Sequence, residues 1–541
     1  MDWINELALK RRAQRTNVFI METFDMRRIE EFKEATKDGD FSKLAKTDYA
    51  NVFDFNLQRN ELTNLKNDQK LGGDPMFDPL KEIDNSFLSS KTIAIIHYVF
   101  SSQHADRLAD YLAAWSQDVT IHTNKSTAVV YVSDAMLFPE SLRRLCYQIV
   151  IPPSTAEERK ALLERDAEEL SKGFEEMYKQ KLKLTVSEDV IQASSGLDLH
   201  STETAAYESF FTERKFTVKA FTDLKIKILN TYNLEYIQPQ IDFSLVGGYN
   251  SLKTYIQNRV ITPLRNPEKA QRYGVGLPRG IILYGYPGTG KTHISKALAK
   301  QLGLAMVKLT PADLFRGIVG ESESRVKQIT TLIESLAPVV VMIDEVDQIA
   351  TPRDQVMMTD SGVSRRITNM LLDWLGQSER KSLLVGCTNF MPLDPAFLRA
   401  GRVDEICLVL PPDREARKEI LLIHCNKLRK IPMVDEDKDA ILSDVANKTF
   451  MWTGAELEKL VLDAARLAME KDAKRVTAEH FDEGIKSREI NERERSEGIQ
   501  RMIGTMKKLE NVNKAFLREA VKEFQKGEKD ESRVKALLES L

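Results

Sequence analysis

GYPGTGKT, Gly285 to Thr292, follows directly on the apolar run GIILYG and leads directly into HISKALAKQL, whose apolar residues recur at helical spacing. Strand, glycine-rich turn and helix in that order let backbone N–H groups turn inward around phosphates. Lys291 supplies a positive charge for β- and γ-phosphates, Thr292 offers a hydroxyl to Mg²⁺, and the helix N-terminus adds a partial positive charge. A nucleoside triphosphate with Mg²⁺ is therefore the expected ligand. Tyr286, Pro287, Gly288, Thr289, Gly290 and His293 complete the stretch expected to touch it, His293 as a packing or surface residue rather than an acid or base.

Working outward, VVVMIDE ends the most apolar strand candidate with Asp344 and Glu345. An acidic residue there can hold Mg²⁺ while its neighbour polarises a water for in-line attack, so Asp344 is read as the metal partner and Glu345 as the base. SLLVGCTN ends another strand with Asn389, suited to orient that water and sense the γ-phosphate. LDPAFLRAGRVDE then carries Arg399 and Arg402 on a turn-rich stretch. An arginine that neutralises developing charge contributes strongly to phosphoryl transfer and can come from a neighbouring subunit; if Arg402 does so, the chain must be an oligomer to work.

With 541 residues the chain exceeds one compact core. Strand candidates NVFIMET, TIAIIHYVF and STAVVYVSD alternate with helical stretches, which argues for a covered parallel sheet over 1–155. NDQKLGGDPMFDP, within that region, reads as a loop. A helical, lid-like module is expected over 156–238, and a second α/β unit over 239–411 with the strands GIILYG, AMVKLT, VVVMIDE and SLLVGCTN. A helical lid over 412–490 follows, in which Thr453 and Glu456 form a capping box. The charged tail 491–541 reads as a solvated helix with one apolar stripe, Val512, Phe516, Ala520 and Phe524; a partner-binding helix is the alternative. Element order makes the two halves copies of one plan.

The 78 basic and 81 acidic residues leave a net charge of −3, which speaks against a nucleic-acid binder driven by global charge. Four cysteines without a CxxC pair read as free thiols of a reducing compartment. No signal peptide and no run of eighteen apolar residues is found, so a cytoplasmic protein without a membrane partner is expected.

The ordered set LVGG, GYPGTGKT, GIVGESESRVKQI, VVVMIDEVD, DSGVSRR, TNFMPLDPAFLRAGRVDE and TGAELEKL resembles the AAA ATPases over roughly 240 residues. The resemblance implies a P-loop αβα sandwich with a helical lid, assembled as a hexameric ring that uses ATP and Mg²⁺. By position it implies that Val246, Gly248, Gly454 and Ala455 contact adenine and that Ile318 and Val319 form a central-pore loop. It also puts Asp360 and Gly362 in an intersubunit signalling stretch and makes Arg402 the arginine finger. Two departures stand out: Ile318 replaces the usual pore-loop aromatic, and Glu405 replaces a second arginine after GRVD. With a P-loop-less α/β and helical region in front, the chain resembles the tandem AAA proteins of cyanobacterial and plastid type, whose first module is degenerate and whose second is active. Here TIAIIHYVF ends in His97 and Tyr98 where an acidic pair would be needed.

These readings make the chain an ATPase that remodels or disassembles a protein, with the first module or the tail receiving a substrate or adaptor. A slow ATP-dependent assembly switch is the alternative. A nucleic-acid-handling ATPase is disfavoured by the balanced charge.

Overall fold

Strands apolar on both faces persist only when both faces are covered. The computed structural model describes residues 2–13, 16–23, 25–72, 77–99, 101–133, 135–315, 321–350, 363–378, 380–391, 393–433, 435–488 and 490–528. In it such strands form two sheets, one in each of two compact units, Met1–Leu224 and Lys225–Leu541.

The first unit holds β1 (Val18–Glu22), helix α1 (Met26–Lys37), β2 (Asn51–Asn56), β3 (Glu61–Asn64), β4 (Gln69–Leu71), β5 (Thr92–Val99), β6 (Thr127–Val132) and β7 (Tyr147–Val150). Helices α2 (Ala156–Tyr178) and α3 (Leu199–Glu213) follow. Its strand order is β4-β3-β2-β5-β6-β1-β7, parallel except at β3, which pairs antiparallel with both β2 and β4. Successive residues feed opposite faces: Ile96 and Val130 pack with Phe87 and Trp115, whereas Ile95 and Val129 pack with Phe32 and Phe41.

The second unit holds β8 (Glu235–Ile237), α4 (Asn250–Ile256), β9 (Gly280–Gly285), α5 (Lys291–Leu302), β10 (Met306–Leu309), β11 (Val340–Ile343), β12 (Leu383–Thr388) and β13 (Glu405–Val409). Helices α6 (Arg414–Leu422), α7 (Gly454–Glu470), α8 (Glu492–Lys508) and α9 (Lys514–Gly527) follow. Strand order is β13-β9-β12-β11-β10-β8, with only β8 antiparallel. When the parallel strands of each unit are numbered along the chain, both sheets run 2-3-4-1-5. The two sheets thus share one strand order.

Several elements depart from expectation. β2, β3, β4, β7, β8 and β13 have no counterpart among the strand candidates; they are short or, like β2 with Asp54, carry polar residues inside the run. The expected loop NDQKLGGDPMFDP contains β4 and, at Asp78, the side-chain cap of the helix Pro79–Ser89. The second unit begins at Lys225, ahead of residue 239, and β8 pairs with β10 within it.

The tail is not a solvated helix. Val512, Phe516 and Phe524 are buried and Ala520 packs beside them, because α9 lies on its own unit. Phe516 stacks on Tyr255 at 4.3 Å, and Glu523 accepts hydrogen bonds from the N–H groups of Asn250 (2.7 Å) and Ser251 (2.9 Å), capping α4. Glu528 pairs with Arg417, both buried. The capping box read at Thr453 and Glu456 is present. All four cysteines are free, and Cys387, Cys407 and Cys425 are buried.

Candidate active site

The phosphate loop leaves the end of β9 and enters α5. Gly288 takes φ +81°, and a Cβ there would stand 2.8 Å from Thr453 Oγ1 and 3.2 Å from Ala455 Cβ, so only glycine allows the lid to close on the loop. Ala455 N–H donates to the Gly288 carbonyl at 3.1 Å, fixing the first turn of α7 against it. The N-cap of α5 is Gly290, without a side-chain cap, which leaves the first-turn N–H groups available to an anion.

Lys291 lies buried under this loop. Its ammonium donates to the carbonyls of Gly285 (2.9 Å) and Tyr286 (3.0 Å) and to Asn389 Oδ1 (2.6 Å). Burial lowers its pKa from the ordinary lysine value, with Cys387, Asp344 and Asp347 opposing. Asp344 and Glu345 follow β11, whose neighbour β12 leads to Asn389. Glu345 takes the left-handed φ of +52°, uncommon for a residue with a side chain, and its Oε2 accepts from Gln348 at 2.5 Å.

A cavity of about 320 Å³ joins these groups. Pro287 to Thr292, Asp344, Glu345 and Asn389 line it, and so do His293, Val246, Gly454 and Ala455. The residues fit a triphosphate and a hard cation: helix N–H donors and a buried ammonium for phosphate, the Thr292 hydroxyl and the Asp344 carboxylate for Mg²⁺. Among the described residues no group of three or more His, Cys, Asp or Glu that could hold a metal ion occurs.

Two expected ligand residues lie elsewhere. Gly248 is outside the lining; it packs on α6, where a Cβ would come within 2.2 Å of Ala416 Cβ, and its N–H donates to Glu419 at 2.7 Å. Tyr286 is also outside the lining, its ring beneath the Arg495 guanidinium. The lining also holds residues that sequence reasoning missed, among them Leu245, Ile420, Ile423, His424 and Leu428. Ile420, Ile423 and His424 stand at helical spacing in EILLIH, but periodicity does not say which face meets a ligand, and Leu245 and Leu428 lie outside that run. Burial, with Arg429 and His293 acting the same way and Glu458 against, brings His424 down to about 4.

Arg402 is remote from this cleft. Its backbone oxygen adjoins Gly280, the first residue of β9, whereas the phosphate loop follows the last, a strand length of roughly 16 Å away. Its Nη1 donates to the Ala396 carbonyl at 2.6 Å, while Arg399 is exposed. Ile318, Val319, Asp360 and Gly362 lie outside the described residues.

In the first unit only three residues link β1 to α1, and the last of them, Asp25, caps that helix. Its carboxylate accepts from Arg27 N–H (3.0 Å) at the start of α1 and from Leu199 (2.9 Å) and His200 (3.3 Å) N–H at the start of α3. On β5, the third strand of that sheet as β11 is of the other, His97 Nε2 bonds Asp54 at 2.6 Å. Tyr98 takes φ +69°, close to that of Glu345.

Residues 281–410 match the ATPase family associated with various cellular activities (AAA), and residues 439–483 match the AAA+ lid domain. The chain is 38% identical over 234 residues to Protein SAV of Sulfolobus acidocaldarius, covering 43% of this chain and 29% of that protein. It is 29% identical over 364 residues to the uncharacterized AAA domain-containing protein ycf46 of Guillardia theta, covering 66% of this chain and 68% of that protein. It is 32% identical over 249 residues to the proteasome-activating nucleotidase of Methanosarcina mazei, covering 46% and 58%. The chain thus spans less than two thirds of SAV and of the nucleotidase. Residues 281–483 carry an AAA ATPase domain with its lid, a P-loop α/β fold of the kind that hydrolyses ATP with Mg²⁺.

Proposed function

We propose that the chain is an ATP-driven motor that remodels or disassembles a protein substrate as an oligomeric ring, with hydrolysis confined to the second unit. The observation that carries this reading is that Lys291, Thr292, Asp344, Glu345 and Asn389 line one cleft together with the apolar Leu245, Val246, Ile420, Ile423 and Leu428. Lys291 exchanges its contacts to Gly285, Tyr286 and Asn389 for phosphate oxygens. Asn389, released from Lys291, turns its amide to the γ-phosphate and the attacking water. Glu345, displaced from Gln348, accepts the proton of that water. Mg²⁺, held through Thr292 and Asp344, supplies neutralisation of phosphate charge. The arginine side chains near residue 400 stand too far from their own cleft to serve it, which supports a role at a neighbour's, with Arg402 as the finger and Arg399 as the more exposed alternative.

The first unit serves as scaffold or adaptor: Asp25 satisfies the helix ends that a nucleotide would, so that unit has no call for one. The AAA family's rings and the nucleotidase's name support a remodelling role, with Ile318 and Val319 as pore-loop candidates. Among the described residues no helix is long and apolar enough to cross a membrane. Particle images of Glu345→Gln with ATP are expected to show closed rings with trapped nucleotide; monomers at every concentration would overturn the ring.

A further inference from the structure

The tail returns to the phosphate loop through one side chain. Arg495, in the first turn of α8, donates from Nη1 to Glu456 Oε2 (2.8 Å) and to the Met451 carbonyl (2.8 Å), and from Nη2 to Glu456 Oε1. Its guanidinium lies 5.6 Å from the centre of the Tyr286 ring, and Gly498, about one helical turn on, lies beside that ring, a Cβ there standing in ordinary contact at 3.8 Å. Arg495 therefore holds three things at once, the lid before α7, the first turn of α7, and the phosphate loop.

Glu456 makes this grip consequential. Its Oε2 also accepts from Thr453 N–H (2.8 Å) and Thr453 Oγ1 (2.9 Å), and Thr453 Oγ1 is the atom that a Cβ on Gly288 would meet at 2.8 Å. A carboxylate thus stands in the first turn of α7, the turn whose Ala455 N–H bonds the Gly288 carbonyl of the loop that must receive a polyanion. Bidentate pairing with a guanidinium neutralises it and fixes its plane, while the cation rests on the Tyr286 ring. Tyr286 is in turn the residue whose carbonyl holds Lys291 and accepts from Thr289 Oγ1 at 2.9 Å.

We propose that Arg495 is a positioning residue for ATP: by neutralising Glu456 and clamping Tyr286, it holds the lid against the phosphate loop and makes tail helix α8 part of the nucleotide site. A tail segment, and anything that displaces it, thereby sets nucleotide affinity. The proposal rests on ATP being the ligand of the cleft, which wild-type binding and its loss in Lys291→Ala test separately.

The experiment titrates the full chain with a non-hydrolysable ATP analogue and measures KM and kcat alongside. Arg495→Met is expected to raise Kd and KM about tenfold with kcat within about twofold, and more at low than at high salt, because an unpaired carboxylate repels phosphate. Arg495→Lys, which keeps the charge without the fork, is expected to raise Kd about threefold. Adding Glu456→Gln to Arg495→Met is expected to recover affinity to within about threefold of wild type. A merely structural role predicts the reverse, a double variant no better than the single. That result, or an unchanged Kd in folded Arg495→Met, overturns the proposal. Should Arg495→Met fail to fold, an unchanged Kd in Arg495→Lys overturns it instead. If wild-type chain binds no ATP, the site reading itself falls.

Discussion

Lys291 shows how a charge is stored for use: buried, it is satisfied by two carbonyls and Asn389, each within 3.0 Å, and each can be surrendered to a phosphate. Lys291→Ala is expected to abolish ATP binding in a calorimetric titration. Glu345→Gln is expected to bind ATP and lose turnover by at least about a hundredfold, the range of a general base; wild-type turnover would reject the assignment. His424 gives a pH signature. Its folded value of about 4 lies below the ordinary 6.5, so the unfolded chain takes up a proton that the native one refuses. The stability from neutral His424 is present above pH 6.5 and is lost as pH falls toward 4. Asp413, raised to about 6 chiefly by burial, works the other way over part of that window. The comparison is therefore with His424→Gln, whose thermal midpoint should fall less steeply than wild type between pH 6.5 and 4. Parallel slopes would remove His424 as the cause. Lys291, Thr292, Asp344, Glu345 and Asn389 were legible because phosphate chemistry demands those residue types at strand ends. His424 was not, since histidine on an apolar helix face has no such signature.

At the scale of elements, helix ends decide what each unit can bind. The start of α5 is left open by Gly290, whereas the starts of α1 and α3 share the Asp25 carboxylate. Asp25→Ala leaves buried N–H groups without a partner and is expected to cost about 1–2 kcal/mol, read as an earlier first unfolding transition on heating. It should leave ATP turnover unchanged under the proposal that hydrolysis belongs to the second unit; a loss of turnover would refute that division. Helix α9 behaves as a structural element. Phe516 is 2% exposed and stacked on Tyr255, so Phe516→Ala is expected to destabilise the second unit by about 3–5 kcal/mol. A thermal midpoint equal to wild type would restore the solvated tail. The stripe Val512, Phe516, Ala520 and Phe524 was visible as a period of four, but a period names a face without naming what covers it.

For the whole molecule, one strand order used twice, with one phosphate loop between the two copies, separates architecture from chemistry. The first unit has the 2-3-4-1-5 sheet and a left-handed residue, Tyr98, near the end of its third parallel strand, and there His97 bonds Asp54. The arginines near residue 400 belong to this scale, since they stand a strand length from the cleft of their own chain. Mixing Arg402→Ala with Glu345→Gln subunits is expected to restore part of the lost activity, because each mixed interface can pair an intact finger with an intact base. The same mixture with Arg399→Ala tells which arginine reaches across. No recovery in either mixture would count against a shared site.

The amino-acid order by itself determined the local chemistry: a glycine-rich turn between strand and helix, carboxylates and an asparagine at strand ends, and a capping box, all set by residues close in sequence. The alternation of strands and helices likewise determined a covered parallel sheet in each half. Only tertiary structure decided that Gly248 and Tyr286 pack beside the cleft rather than line it, that the charged tail is part of the second unit, and that Arg495 meets Glu456 and Tyr286. The physical reason is that such contacts join residues tens to hundreds of positions apart, through packing among several comparable apolar faces, and no local pattern specifies which of those faces will meet.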